Sequence, residues 1–159
     1  MISPVSQHAT HTLVFETGGP GFTDITGKIS AWLHTQGVGE GLLTLFIAHT
    51  SASLTIQENA DPDVLRDLED ALERIAPRQH PYRHSSEGSD DMPAHIKSMI
   101  TSTSLSIPVQ EGCMALGTWQ GVYLVEHRDA PHRRRVVLTF LGSSSSEAVG
   151  QIKGSLLDG

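Results

Sequence analysis

Residues 42 to 58 constrain the fold more than any other stretch. Leu43, Leu45 and Ile47, with His49 at the end, would lie on one face of a strand, and Leu42, Phe46 and Ala48 on the other. Successive side chains of a strand point to opposite sides. A segment apolar on both sides therefore belongs in the middle of a sheet. Ser51 to Glu58 then alternates, with Ala52, Leu54 and Ile56 against Ser53, Thr55 and Gln57, the pattern of a half-buried strand. Immediately afterwards the period becomes helical. Asp61 suits an N-cap and Pro62 the first helical position. Val64, Leu65, Leu68, Ala71, Leu72 and Ile75 form an apolar stripe opposite Asp63, Asp67, Glu69, Asp70 and Glu73, which reads as a solvated acidic face.

The remaining elements are shorter. Leu13 to Phe15 reads as a strand, and the glycines around Pro20 break it. Thr23 or Asp24 can cap a helix carrying Ile25, Ile29, Trp32 and Leu33, with Gly37 as its stop. After a polar loop over 78–90, a helix starts near Asp91 or Met92 and runs through Ile96, Met99 and Ile100. A strand follows over Leu105 to Val109, then a turn at Glu111-Gly112. Residues 122–128 and 134–141 are expected to pair as a hairpin around Asp129-Ala130-Pro131. Strands and helices intermix without regular alternation, which indicates an α+β class rather than a doubly wound sheet. A chain of 159 residues fits one domain over 11–142, after a loosely ordered segment 1–10 and before a Ser/Gly-rich tail 143–159.

Charge and composition exclude several partners. The net charge of −7 opposes nucleic acid and anionic membrane surfaces. No apolar stretch approaches the roughly 20 residues of a bilayer span. No basic region followed by an apolar run opens the chain, so a cytoplasmic location is expected. Cys113, the single cysteine, precedes Met114, Ala115 and Leu116, which suggests a buried thiol without an internal disulfide.

The chemistry concentrates between His84 and His95. Two histidines flank Glu87, Asp90 and Asp91 around a Gly/Ser turn, and these side chains bind divalent metals and move protons near neutral pH. Asp91 and His95 stand four apart and share a helix face if the helix starts by Asp91. The carboxylate could orient the ring, raise its basicity or share a metal. The spacing of His84 and His95 matches no standard zinc motif.

Other candidates are scattered. His49, at a strand end, either points into a cleft or is a core histidine bonded to backbone. Asn59 precedes a helix N-terminus, where free N–H groups favour anions, though the acidic first turn opposes a phosphate. Glu126 and His127 are neighbours that face opposite sides of a strand. Arg128, His132, Arg133, Arg134 and Arg135 form the one basic cluster, equally readable as a phosphate-binding patch or as a charged sheet edge. Ser51 and Ser53 are possible nucleophiles without a visible triad. Walker, GxSxG and HExxH patterns are all missing.

The segment from His49 to Asp63, HTSASLTIQENADPD, resembles the signature of the YjbQ-like family, also described as the secondary thiamine-phosphate synthase enzyme family. Pro81-Tyr82-Arg83-His84, Ala94-His95-Ile96-Lys97, residues 115–121 (ALGTWQG) and Arg133-Arg134-Arg135-Val136-Val137 are similar in the same order. The resemblance covers roughly residues 10 to 142. It implies a seven-stranded β-sandwich with flanking helices, assembled as a homotrimer. It also implies that His49, Asn59, His84, His95, Gln120 and Glu126 line one polar site. The loop around Asp90 and Asp91 departs from the family's commoner arrangement and carries an added Met92-Pro93, so either aspartate could take the site role.

The activity implied joins a pyrimidine pyrophosphate to a thiazole phosphate with release of pyrophosphate. On that reading a divalent metal, zinc or magnesium, binds His49, His84 and His95, with Asp91 orienting or co-ligating. Arg133, Arg134 and Arg135 would steer a small phosphorylated metabolite. The rivals are a trimeric metal- or anion-binding module without catalysis, and a metal-assisted hydrolase.

Overall fold

A computed structural model describes residues 4–145. These residues form eight strands and three helices, in the order β1 (Gln7–Thr17), β2 (Gly21–Asp24), α1 (Thr26–Gln36), β3 (Val38–Ile47), β4 (Ala52–Glu58), α2 (Pro62–Ile75), α3 (Asp91–Ile100), β5 (Ser104–Gln110), β6 (Cys113–Met114), β7 (Gln120–Glu126) and β8 (His132–Ser144). The α+β class holds. Eight strands stand where seven were expected, divided into a five-stranded sheet, β1-β8-β3-β5-β6, and a three-stranded sheet, β2-β7-β4. One core joins them. Leu43, Leu45, Ile107, Leu138 and Phe140 of the larger sheet meet Leu54, Val122 and Leu124 of the smaller one, with Ile29, Trp32 and Leu33 of α1.

Local signals set several elements as expected. Asp61 caps α2, its carboxylate accepting the Asp63 N–H at 2.9 Å, with Pro62 in the first turn. Gly37 ends α1 in the left-handed conformation, φ 60°, which costs glycine little. Glu111 and Gly112 both take positive φ and turn β5 into β6, as a tight hairpin requires. Replacing Asp61 with alanine should cost about 1 kcal/mol by loss of the cap. For a domain of this size that lowers the thermal midpoint by about 2–4 °C, which a calorimetric scan would register.

Four expectations change. Strand β1 begins at Gln7, so residues 7–10 are a paired edge of the larger sheet rather than a loose segment, in register from Gln7–Gly142 to Thr17–His132. Strand β8 likewise carries residues 143 and 144 of the expected tail, and residues 146–159 lie outside the described residues. The expected hairpin of 122–128 with 134–141 does not form. Strand β7 lies between β2 and β4, and β8 lies between β1 and β3, so Asp129-Ala130-Pro131 carries the chain from one sheet to the other. Long-range pairing outweighed adjacency here, because each strand finds two partners elsewhere. Cys113 is exposed, since the two-residue β6 is a sheet edge rather than part of the core.

The larger sheet is buried on one side only. Strand β3 is central, but Leu42 and Phe46 remain 44% and 48% exposed, beside Leu141 at 47%. Leu42 pairs with both Leu141 and Pro108, and Phe46 with Val137. Thr44 lies between Thr139 and Ser106 in the row between them. The result is an outer face with an uncharged apolar centre, bordered on the same side by the exposed Arg133 and Arg135 of β8 and Glu16 of β1. Helix α3 turns polar side chains towards the interior. Asp91, Ala94, Lys97 and Ser98 turn inward, with Ser98 Oγ donating to the Ala52 carbonyl at 3.2 Å, while Met99 and Ile100 face out. Helix α2 keeps its apolar stripe only half-buried, and Ile75 is 58% exposed.

Candidate metal centre at the start of helix α3

His84 reaches the centre from the loop over 78–90, and Asp91 and His95 from the first turns of α3. Helical spacing of four puts Asp91 and His95 on one face, and the loop folds His84 back onto them. One ligand-capable atom from each of His84, Asp91 and His95 lies within 4.8 Å of the other two. Asp91 Oδ2 is 2.7 Å from His84 Nε2 and 3.5 Å from His95 Nε2. The rings lie 5.6 Å apart, tilted by 60°. The Asp91 side chain is 3% exposed, whereas His84 and His95 are 45% and 35% exposed. A buried carboxylate therefore forms the floor and two imidazoles the solvent-facing walls.

Asp91, not Asp90, faces the histidines. Asp90 turns back, and its Oδ2 accepts from Arg128 Nε at 2.9 Å and from the Asp129 N–H at 3.0 Å. Burial alone would push the Asp90 carboxyl up, but these donors and the Arg128 charge outweigh it and hold the group below its ordinary range. Arg128 also donates through Nη1 to Asp91 Oδ1, leaving Oδ2 for the histidines, and through Nη2 to the Glu87 carbonyl at 2.9 Å. On the outer side, Arg78 grips Asp129 with both terminal nitrogens, one at 2.7 Å.

Behind Arg128 lies a buried polar layer. The Arg128 N–H donates to Glu126 Oε1 at 2.9 Å, and the His127 N–H does so at 3.0 Å. Glu126 Oε2 accepts from Arg134 Nε and Thr17 Oγ1, each at 2.7 Å. Burial pushes Glu126 up, but the Arg134 and Thr17 hydrogen bonds, the Arg128 N–H and the Arg134 charge prevail and lower it. Arg134 Nη2 also holds the Ser51 carbonyl at 3.2 Å and Ser51 Oγ at 3.0 Å. His127 Nε2 meets Ser53 Oγ at 2.9 Å. Lys97 is buried and pairs with Glu73.

The remaining candidates do not join this centre. His49 lies just beyond β3, and its Nε2 accepts the Arg135 N–H at 2.9 Å. Burial, then the Arg134 and Arg135 charges, lower its pKa, in keeping with a neutral ring that accepts from backbone. Among the described residues, the group that could hold a metal comprises His84, Asp91 and His95 without His49. Asn59 and Gln120 sit together, Asn59 Nδ2 donating to the Gln120 carbonyl at 3.5 Å. Gln120 and Glu126 bound strand β7. Six residues of strand span about 20 Å, so Gln120 stands far from Glu126 within one chain. The arginine run does not gather into one phosphate-facing patch. Strand alternation buries Arg134 against Glu126 and leaves Arg133 exposed beside Glu16 at 3.2 Å.

Sequence reasoning missed the separate role of Arg128, which stood only as one member of the basic run. Its contacts lie 37 and 38 residues away in the chain, and no local spacing announces them.

A family model described as "UPF0047 protein YjbQ-like" matches residues 11–143. UPF0047 protein sll1880 of Synechocystis is 50% identical over 145 residues, covering 89% of this chain and 99% of that protein. UPF0047 protein YjbQ of Escherichia coli O157:H7 is 45% identical over 132 residues, covering 82% and 96%. Among solved structures, the conserved hypothetical protein TT1486 of Thermus thermophilus superposes with a TM-score of 0.72 at 39% identity, covering 80% and 97%. A YbjQ-like protein of unknown function from Sulfolobus solfataricus reaches 0.77 at 20% identity, covering 86% and 100%, and shows the shared fold alone.

Proposed function

This chain belongs to the YjbQ-like (UPF0047) family, and we propose that it is a small-metabolite enzyme built around a divalent metal ion held by His84, Asp91 and His95. The observation that carries this reading is the convergence of those three donors on one point at the protein surface. In a tetrahedral site with bonds of about 2.0–2.1 Å, ligand atoms stand about 3.3 Å apart. The His95–Asp91 separation of 3.5 Å matches this, and the 2.7 Å His84–Asp91 contact would widen by a small rotation of the exposed His84 ring. Two imidazoles and one carboxylate suit zinc or a similar transition metal better than magnesium, which prefers oxygen ligands.

A divalent ion at this centre would act as a Lewis acid and neutralise the charge on a phosphate or pyrophosphate. The chain's residues divide the remaining work. Asp91 anchors the centre from the buried side. His84 and His95 close it laterally while leaving the solvent side open for an incoming group. Three protein ligands with an open side are the pattern of reactive rather than purely structural sites. The pyrimidine pyrophosphate and thiazole phosphate that the family resemblance implies are the first substrates to try. The homotrimer that it also implies is supported by the exposed apolar residues Leu42, Phe46 and Leu141 at the centre of the outer face, which a monomer would leave in water.

The test combines metal analysis, calorimetric titration with zinc and turnover of the two thiamine precursors. The intact chain should bind about one equivalent per chain. His84→Ala and His95→Ala should each weaken binding about 100-fold or more and abolish turnover. Unchanged metal content in both variants would refute the site. Metal binding without turnover of the precursors, or of a panel of phosphate esters, would leave a binding module in place of the enzyme.

A further inference from the structure

We propose that Arg128 is the positioning residue of the centre, and that its guanidinium restricts Asp91 to single-oxygen ligation and thereby sets which metal ions the site accepts. This rests on the reading of His84, Asp91 and His95 as ligands. The geometry is that of a fork with three tines. Nη1 holds Asp91 Oδ1, Nε holds Asp90 Oδ2 at 2.9 Å, and Nη2 holds the Glu87 carbonyl at 2.9 Å. One planar group therefore fixes the loop before α3, the residue preceding the helix and the ligand itself. It also determines which of two adjacent aspartates faces the histidines.

The fork is rigid at its own base. The Arg128 N–H bonds to Glu126 Oε1 at 2.9 Å, and Glu126 is clamped by Arg134. The Arg128 side chain is 17% exposed, so water competes weakly for these contacts. With Oδ1 engaged, Asp91 offers Oδ2 alone. The donor set stays at two nitrogens and one oxygen, which suits ions of low coordination number. Calcium, which takes six to eight oxygens and often both oxygens of a carboxylate, is excluded. Lysine cannot substitute, because a point charge on a flexible stem cannot satisfy three separated acceptors in one plane.

The experiment titrates zinc, cobalt and calcium into the intact chain and into Arg128→Met, Arg128→Lys and His84→Ala. Circular dichroism and thermal midpoints of the metal-free proteins establish that each is folded. Outer-shell partners of metal ligands are worth 10–100-fold in affinity. Zinc binding should therefore weaken 10–100-fold in Arg128→Met, the visible cobalt spectrum should change shape, and the zinc-to-calcium preference should fall at least about tenfold. Arg128→Lys should resemble Arg128→Met. Wild-type affinity and cobalt spectrum in Arg128→Met would overturn the inference. Full recovery in Arg128→Lys would overturn it too, by showing that charge alone suffices. Should Arg128→Met be unfolded, Arg128→Lys decides between these results. No zinc binding by the intact chain would remove the metal site itself. Loss in His84→Ala with no change at Arg128 would leave the site standing and remove only this role.

Discussion

Replacing Arg134 with methionine is expected to destabilise the protein by about 3–5 kcal/mol, the usual consequence of removing one partner from a buried ion pair. The Arg134 and Glu126 side chains are 4% and 1% exposed. Glu126 would keep Thr17 and the two N–H groups of His127 and Arg128, but its charge would lose the neighbouring cation in a region closed to water. Ser51 would lose the donor to its carbonyl and hydroxyl as well. For a domain of this size the thermal midpoint should fall by about 6–20 °C. Because desolvation of both ions opposes the pair, replacing both should cost less than replacing one. The double variant Arg134→Met/Glu126→Gln keeps an acceptor for the two backbone N–H groups and should regain more than half of the loss. Urea unfolding of the two single variants and the double closes the cycle. A loss below about 1 kcal/mol in Arg134→Met would show that water reaches this pair. On this account Glu126 is a structural carboxylate that sets the base of Arg128, not a group exposed to substrate.

Stability should also fall steeply on acidification between about pH 6.5 and pH 4, and His127 should be the main reason. Its ring is buried, and burial first, then the Lys97 charge, lower its pKa from 6.5 to about 4. The unfolded chain takes up this proton below pH 6.5, whereas the native chain refuses it until about pH 4. Between those values the unfolded state binds more protons, so stability rises with pH. The contribution is complete above pH 6.5 and lost as pH falls towards 4. A difference of this size corresponds to roughly 3 kcal/mol. Glu126 and Asp90 act in the same direction at lower pH, since their depressed values matter only below the ordinary carboxylate range. His127→Gln should therefore flatten the pH dependence above about 4.5 and leave the steeper acid limb intact. Chelator in all samples separates this slope from loss of any bound metal. A wild-type slope in His127→Gln would assign the titration to another group.

Much of this architecture follows from short-range chemistry. Asp61 and Pro62 start α2, Gly37 stops α1, and the alternation over 52–58 makes β4. The candidate centre was partly legible for the same reason. Asp91 and His95 are one helical turn apart, and His84 is seven residues before Asp91 in a loop rich in metal-capable groups. His49, Asn59 and Gln120 were grouped with them by family resemblance, and within one chain they stand elsewhere. The apolar face of Leu42 and Phe46 was read as buried because periodicity reports which residues share a side, not what covers it. Helix α3 shows the same limit of local patterns. Its apolar residues Met99 and Ile100 face water, and a lysine and an aspartate face in, because partners elsewhere satisfy their charges.

Helix ends, strand periods and the cluster at 84–95 therefore depend on residues within a turn or two of one another, where backbone geometry alone fixes who meets whom. Which aspartate serves the centre, which arginine is buried and which strand neighbours which depend on groups far apart in the chain, 109 residues in the case of Thr17 and Glu126. Those choices were made by desolvation. With β7 and β8 in different sheets, Glu126 and Arg134 are shut off from water together and bond to each other, and Arg128 lies against Asp90 and Asp91. No local pattern encodes that outcome, because the cost of a buried charge exists only after the sheets have closed around it.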